Sequence, residues 1–249
     1  MSGIDFLDAP VRQARTVVDS SRRPWPLPEA GWVQGQTWHD VLFVHWRADA
    51  AGLARLLPPE LSLDLFAGVA WIGVVASRVT GLRLRGLPPL PGLSSFAELD
   101  VRTYVTHGGR PGVWLFSVTV PNAIVVEAVK RLYKLPAERG RVTIRRRGKE
   151  RLFASLAQRD SLDAHYRGRG KPAAAEPGTL EHFLTERYCL YTADGGRLYR
   201  AETHHLPWQL QRAEATVEAK GLAPVALAGD PHLLYCARQD SVSWALEEA

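Results

Sequence analysis

The chain has 249 residues, 46% hydrophobic and 23% charged, a size that buries roughly 70–75% of the unfolded surface without metal or disulfide staples, so disorder and small-scaffold readings are excluded. Its two cysteines, Cys189 and Cys236, lie far apart, which rules out CxxC metal knuckles and a disulfide framework and makes a reducing, cytoplasmic compartment the expectation. The net charge of +5 rests on 31 basic residues, almost all arginine, and a basic balance points to nucleic acid only where the charge gathers on one face among stacking aromatics.

Near the N-terminus, Asp5, Asp8 and Pro10 interrupt the apolar run that a signal peptide needs. Later apolar runs fall well short of the roughly 20 residues that cross a bilayer, so no membrane partner is expected. Pro24, Pro26 and Pro28 form a stiff extended connector. They divide the chain into an arm at 1–31 and a single domain at 32–249. Strand-type segments follow at 39–46 (HDVLFVHW), 69–80, 98–105 (ELDVRTYV) and 113–120, separated by Gly/Pro clusters such as HGGRPG, the pattern of antiparallel hairpins. More are read at 141–146, 151–158, 197–205, 213–220 and 232–239.

Two helices stand out. Asn122 fits as the N-cap of a run carrying Ile124, Val125, Ala128, Val129 and Leu132, which Pro136 stops. TLEHFLTERY, from Thr179, follows a polar Pro- and Gly-containing link at 167–178 and leads into a tight hairpin, CLYTADGGRLY. Many strands with few helices predict a mainly β fold: a closed or nearly closed antiparallel β-barrel with one or two packed helices, because closure removes exposed edges.

The segment richest in chemistry is ELDVRTYV. Its period of two puts Glu98, Asp100, Arg102 and Tyr104 on one face and Leu99, Val101, Thr103 and Val105 on the other. Outside a barrel the first set is an ordinary solvated face; inside, it gathers a guanidinium, two carboxylates and a phenol in a cavity that could hold a carboxylate or carbonyl compound. Arg102 would then anchor the anion, Glu98 act as acid or base, and Tyr104 donate a hydrogen bond, with Asp100 beside them.

Other groups point to less. Arg145, Arg146, Arg147, Lys149 and Arg151 read as a solvated hairpin, with Arg146 facing away from Arg145 and Arg147. The rings of His204 and His205 diverge on a strand, and His39 and His45 share a face roughly 20 Å apart at about 3.3 Å per residue, so neither pair makes a metal site. Cys189 reads as a small core residue. No GxSxG, GxGxxG or GxxxxGK[ST] occurs, so neither a serine-nucleophile elbow nor a nucleotide cofactor is expected. The tryptophans, Trp38, Trp46, Trp71, Trp114 and Trp208 among them, read as core or wall residues.

FVHW at 43–46, LLPPELSLD at 56–64, AWIGVV at 70–75, GLPPLPGLSSFAELDVRTYV at 86–105 and PGTLEHFLTERYCLYTADGGRLYRAETHHLPWQLQRAEA at 177–215, in that order, resemble the YqjF-like family of uncharacterised proteins. The resemblance implies the β-barrel fold of the acetoacetate decarboxylases. SFAEL at 95–99 is similar to the decarboxylase strand bearing an active-site glutamate, which places Glu98 at that position. AIVVEAVKRLYKLPAERGRV at 123–142 resembles the stretch that in the decarboxylases ends in Pro-Lys-Lys with the Schiff-base lysine. Here Ala137 and Glu138 follow Pro136. Neither can form an imine. The expectation is a homo-oligomeric barrel that binds a small-molecule ligand and acts on a carbonyl or carboxylate compound without a Schiff base, metal or other cofactor and without a nucleic-acid partner. The alternative is a non-catalytic ligand sensor or interaction module.

Overall fold

The structure, a computed structural model, describes residues 3–158 and 160–249. Helix α1 (Gly3–Arg15) and a 3-10 turn (Thr16–Val18) precede the long strand β1 (Gln34–Ala48). Helix α2 (Ala50–Ala54) and strand β2 (Ser62–Leu63) lead to β3 (Ala70–Leu84), β4 (Phe96–His107) and β5 (Arg110–Val120). Helix α3 (Ala123–Tyr133) passes into β6 (Ala137–Arg139), the hairpin β7 (Arg141–Arg147) and β8 (Glu150–Leu156), and β9 (Ser161–Ala173). Helix α4 (Leu180–Thr185), β10 (Cys189–Asp194), β11 (Arg197–His205), β12 (Leu210–Lys220), β13 (Leu227–Ser243) and β14 (Glu247–Glu248) complete the order.

The pairings close a ring: β1–β3–β4–β5–β10–β11–β13 and back to β1. Two contacts are parallel where only antiparallel ones were expected, β5 with β10 and β5 with β6. The chain leaves β5 through α3 and the β7–β9 excursion and re-enters from the opposite end, the long crossover that parallel pairing requires. From β13 the sheet continues through β12, β9, β8 and β7 as a second layer. Between the layers lies the main core: Leu42, Val44, Ile72 and Val74 from the outer face of the ring meet Phe153, Leu162 and Tyr166.

Local signals account for most elements. The Asn122 side chain accepts from the Ile124 N–H, and α3 buries Val125 and Val126. It ends at Lys134, two residues before Pro136, with Lys134 at φ 53° as a left-handed cap. Gly195 and Gly196, at φ 58° and 74°, make the predicted β10–β11 turn, a conformation that glycine reaches without strain. The link at 167–178 is strand as far as Ala173, because Arg167 and Arg169 pair with Glu214 on β12. The arm carries α1, which docks on the ring: the buried Gln13 amide donates to the Gly81 carbonyl (3.1 Å) and accepts from Arg83 Nε (2.9 Å). Arg23, in the connector, pairs with the buried Glu202, which also accepts from Trp25 (2.8 Å) and Arg110 (2.7 Å).

The arginine-rich hairpin is not simply solvated. Asp40, at φ 53° within β1 and 1% exposed, accepts from Arg146 Nε (3.0 Å), Arg146 Nη2 (2.9 Å), Arg151 Nε (2.6 Å) and the Tyr235 hydroxyl (3.3 Å). Arg146 and Arg151 are cross-strand partners, so the face opposite Arg145 and Arg147 also reaches a buried carboxylate, while the Arg146 side chain itself stays 54% exposed. The same left-handed residue flips the side-chain parity of β1. His39 accordingly bonds Thr80 (2.9 Å) on the outer side and His45 points into the ring, on opposite faces rather than one. Asparagine keeps the left-handed backbone accessible and removes only the charge. Asp40→Asn should therefore lower stability by about 3 kcal/mol by leaving Arg78, Arg146 and Arg151 without their counter-ion, read as a lower denaturant midpoint at unchanged slope.

Candidate functional site

Along β4, Ala97, Leu99 and Val101 belong to the inter-layer core, while Glu98, Asp100 and Arg102 line a cavity of about 190 Å³ inside the ring. The period of two thus gives one strand two interiors. Arg102 grips Asp100 with both edges of its fork, Nε to Oδ1 at 2.6 Å and Nη2 to Oδ2 at 2.5 Å. Glu98 stands one step along the same face. Burial and the neighbouring Asp100 push its carboxyl up to about 7, against the opposing pull of Arg102 and of a hydrogen bond from the Trp38 indole.

Tyr104 continues the face but lies off the cavity wall. It is fully buried, its hydroxyl donating to the Leu184 carbonyl (3.0 Å) and bonded to His45 Nε2 (2.7 Å). With the phenol proton on Leu184, the imidazole donates from Nε2. Gly73 makes room for this pair: a Cβ there would lie 2.9 Å from the His45 ring and 3.2 Å from the Tyr104 oxygen. The phenol is therefore not free to reach a ligand, and it underpins the floor beneath Arg102.

Distant segments supply the other walls. Arg187 follows α4, donates from Nε to the Phe183 carbonyl (2.6 Å) and from Nη1 to Asp64 (2.5 Å), and stacks over Phe183 with its guanidinium carbon 4.2 Å from the ring centre. His205 and Trp208 close another side, with Trp208 stacked on Trp38 at 5.6 Å. His204, by contrast, points outward and bonds the Thr16 carbonyl (3.0 Å), so the two adjacent rings do diverge. Cys189 touches the cavity, but burial pushes its thiol up to about 12, which makes it a poor nucleophile at neutral pH. No local pattern marks Arg187, His205 or Trp208 in the sequence; they enter through strand closure.

None of the five lysines of the chain lines the cavity. Ala137 packs with Val118, Val120 and Val125, and Glu138 accepts from Thr119 (3.2 Å). Lys134 is held at the surface by Asp194. The cavity wall offers no amine for an imine. Among the described residues, no group of three or more His, Cys, Asp and Glu could hold a metal ion, and no helix is long and apolar enough to cross a membrane.

Residues 35–240 match the model of DUF2071, described as an uncharacterized conserved protein. The chain belongs to that family. The uncharacterized protein YqjF of Bacillus subtilis (strain 168) is 37% identical over 229 residues, covering 89% of this chain and 95% of YqjF. Among solved structures, the enduracididine biosynthesis enzyme MppR complexed with pyruvate superposes with a TM-score of 0.63 at 15% identity, over 91% of this chain and 93% of MppR. Acetoacetate decarboxylase from Legionella pneumophila gives 0.60 at 11% identity, over 93% and 96%. This DUF2071 chain therefore shares the acetoacetate decarboxylase-like fold, and at such identities the likeness is one of fold.

The raised carboxyl has a measurable consequence. A folded-state value near 7 against 4.5 in the unfolded chain means that Glu98 stabilises the fold fully below pH 4.5, and that this contribution is lost as pH rises through 7. The slope reaches at most about 1.4 kcal/mol per pH unit. Glu98→Gln should flatten the stability curve across this window and leave the variant more stable than the parent at pH 8, measured by denaturant unfolding at pH 5 and pH 8.

Proposed function

We propose that this protein binds a small carboxylate or carbonyl compound in the ring cavity and acts on it without a Schiff base. The observation that carries the reading is the placement of Glu98, Asp100 and Arg102 on the wall of an otherwise largely apolar cavity that no lysine reaches. Small-molecule sites have this composition, with few polar groups converging in an apolar enclosure. The pyruvate bound to MppR, a protein of the same fold, makes a short 2-oxo acid the natural first probe.

In this reading each wall residue has a defined part. Asp100 occupies Nε and Nη2 of Arg102, which fixes the fork and leaves Nη1 to meet the ligand's anionic group. Asp100 thus acts as the positioning residue and Arg102 as the anchor. Glu98, titrating near 7, is matched to exchange a proton with a carbonyl oxygen or the adjacent carbon at neutral pH. Tyr104 and His45 hold the floor rather than the ligand.

Trp38 and Trp208 line the cavity, so binding should change their fluorescence. Titration with pyruvate should give saturable quenching that Arg102→Leu weakens at least tenfold. Above pH 7 an ionised Glu98 repels the bound anion, so affinity should fall as pH rises through 7, and Glu98→Gln, permanently neutral, should remove that fall. Unchanged affinity in Arg102→Leu would sink the reading. Binding that follows this pattern with no turnover of any 2-oxo acid would favour the non-catalytic sensor.

A further inference from the structure

On β1, Gln34 and Gln36 alternate inward with Trp38 and line the cavity, whereas Gly35 and Thr37 face outward against α1. Both glutamines are half-buried, and among the described residues neither side-chain amide has a hydrogen-bond partner. Ser243, directly opposite Gln34 on β13, lines the same stretch. The indole N–H of Trp208, a residue 6% exposed on the cavity wall, is buried and has no partner. Buried polar groups in folded proteins are normally satisfied. The two glutamine amides, half-buried on the cavity wall, present donors and acceptors that no other group of the described residues engages.

The charged and the amide regions are separate. Trp38 meets Glu98, and Gln36 lies two residues further along the same strand face, about 7 Å away at about 3.3–3.4 Å per residue. The nearby basic side chain Arg83 points outward, bonded to Gln13 and the Pro10 carbonyl (3.0 Å). The amide region therefore carries no net charge of its own. Trp38, Trp208 and Phe96 line the space alongside it.

We propose that Gln34 and Gln36 form a second, neutral subsite, and that the ligand is a bipolar acid: an oxo or carboxylic head at Arg102 and Glu98, and an uncharged polar end group such as a carboxamide or hydroxyl on a short tail. This deepens the function proposed above and rests on it. A carboxamide both donates and accepts, as the glutamine amides do, and pairs with them bidentately. An apolar tail leaves the amides unsatisfied, and a second carboxylate buries a charge with no counter-ion.

The test compares three 2-oxo acids of similar length, 2-oxoadipamate, 2-oxoheptanoate and 2-oxoadipate, by tryptophan fluorescence and calorimetry on the full chain. 2-Oxoadipamate is expected to bind about 30-fold tighter than either of the others, as two net hydrogen bonds of ordinary strength give. Gln36→Leu should abolish that preference or turn it toward 2-oxoheptanoate, and Gln34→Leu should weaken it. Retained binding of pyruvate, which is too short to reach the glutamines, verifies that both variants are folded. Arg102→Leu should weaken all three acids alike. Equal affinity for the three, or a preference that Gln36→Leu leaves in place, overturns the amide subsite while the acid-binding reading stands. Absence of saturable binding for pyruvate and all three overturns both.

Discussion

Strand β4 has to serve two interiors at once. Its odd-numbered side chains from 97 to 101 fill the apolar layer against β7–β9, and its even-numbered ones face the ring's hollow. A slip of one residue would drive two carboxylates and a guanidinium into the main core, where uncompensated charge is prohibitively expensive. The register with β3, where Ser77 meets Glu98 and Gly73 meets Arg102, is thus fixed by the cost of the alternative. The charged wall and the packed core are two outcomes of one alternation.

Chemistry follows from how far the wall is shielded from water. In a low-dielectric enclosure, like charges separate their titrations more strongly than at a surface. Arg102 grips Asp100 with two hydrogen bonds, whereas Glu98, without such a grip, is pushed toward neutrality by burial and by its neighbour Asp100. The floor reinforces the arrangement: Tyr104 is held by His45 and by the Leu184 carbonyl. The ring's outside is fastened independently, by Asp40 beneath the arginine hairpin and by Glu202 beneath the arm. Both are buried carboxylates that collect arginines from segments far away in the chain.

Local patterns made part of this legible. The two faces of ELDVRTYV, the Asn122 cap, the Gly195–Gly196 turn and the divergence of His204 from His205 each depend on residues within a few positions of one another. What stayed hidden depends on distance or on a single backbone irregularity. Asp40 reverses the parity of β1, so the spacing of His39 and His45 misleads. The facing of Arg146 was readable, but its partner lies 106 residues away. Tyr104 has the right parity, yet Leu184, from α4, closes over it and removes it from the wall. The strand character of 167–173 needs Glu214, far downstream, to neutralise its arginines. Arg187, Trp208 and His205 reach the cavity only through ring closure, which no local pattern encodes.

The charge state of one carboxyl reports directly on whether the wall of β4 is enclosed. With selectively 13C-labelled glutamate and Glu98→Gln to assign the resonance, the Glu98 carboxyl should titrate with a midpoint near 7. A midpoint in the ordinary carboxylate range, near 4.5, would show a side chain bathed in water and contradict the enclosed charged wall on which the functional reading rests.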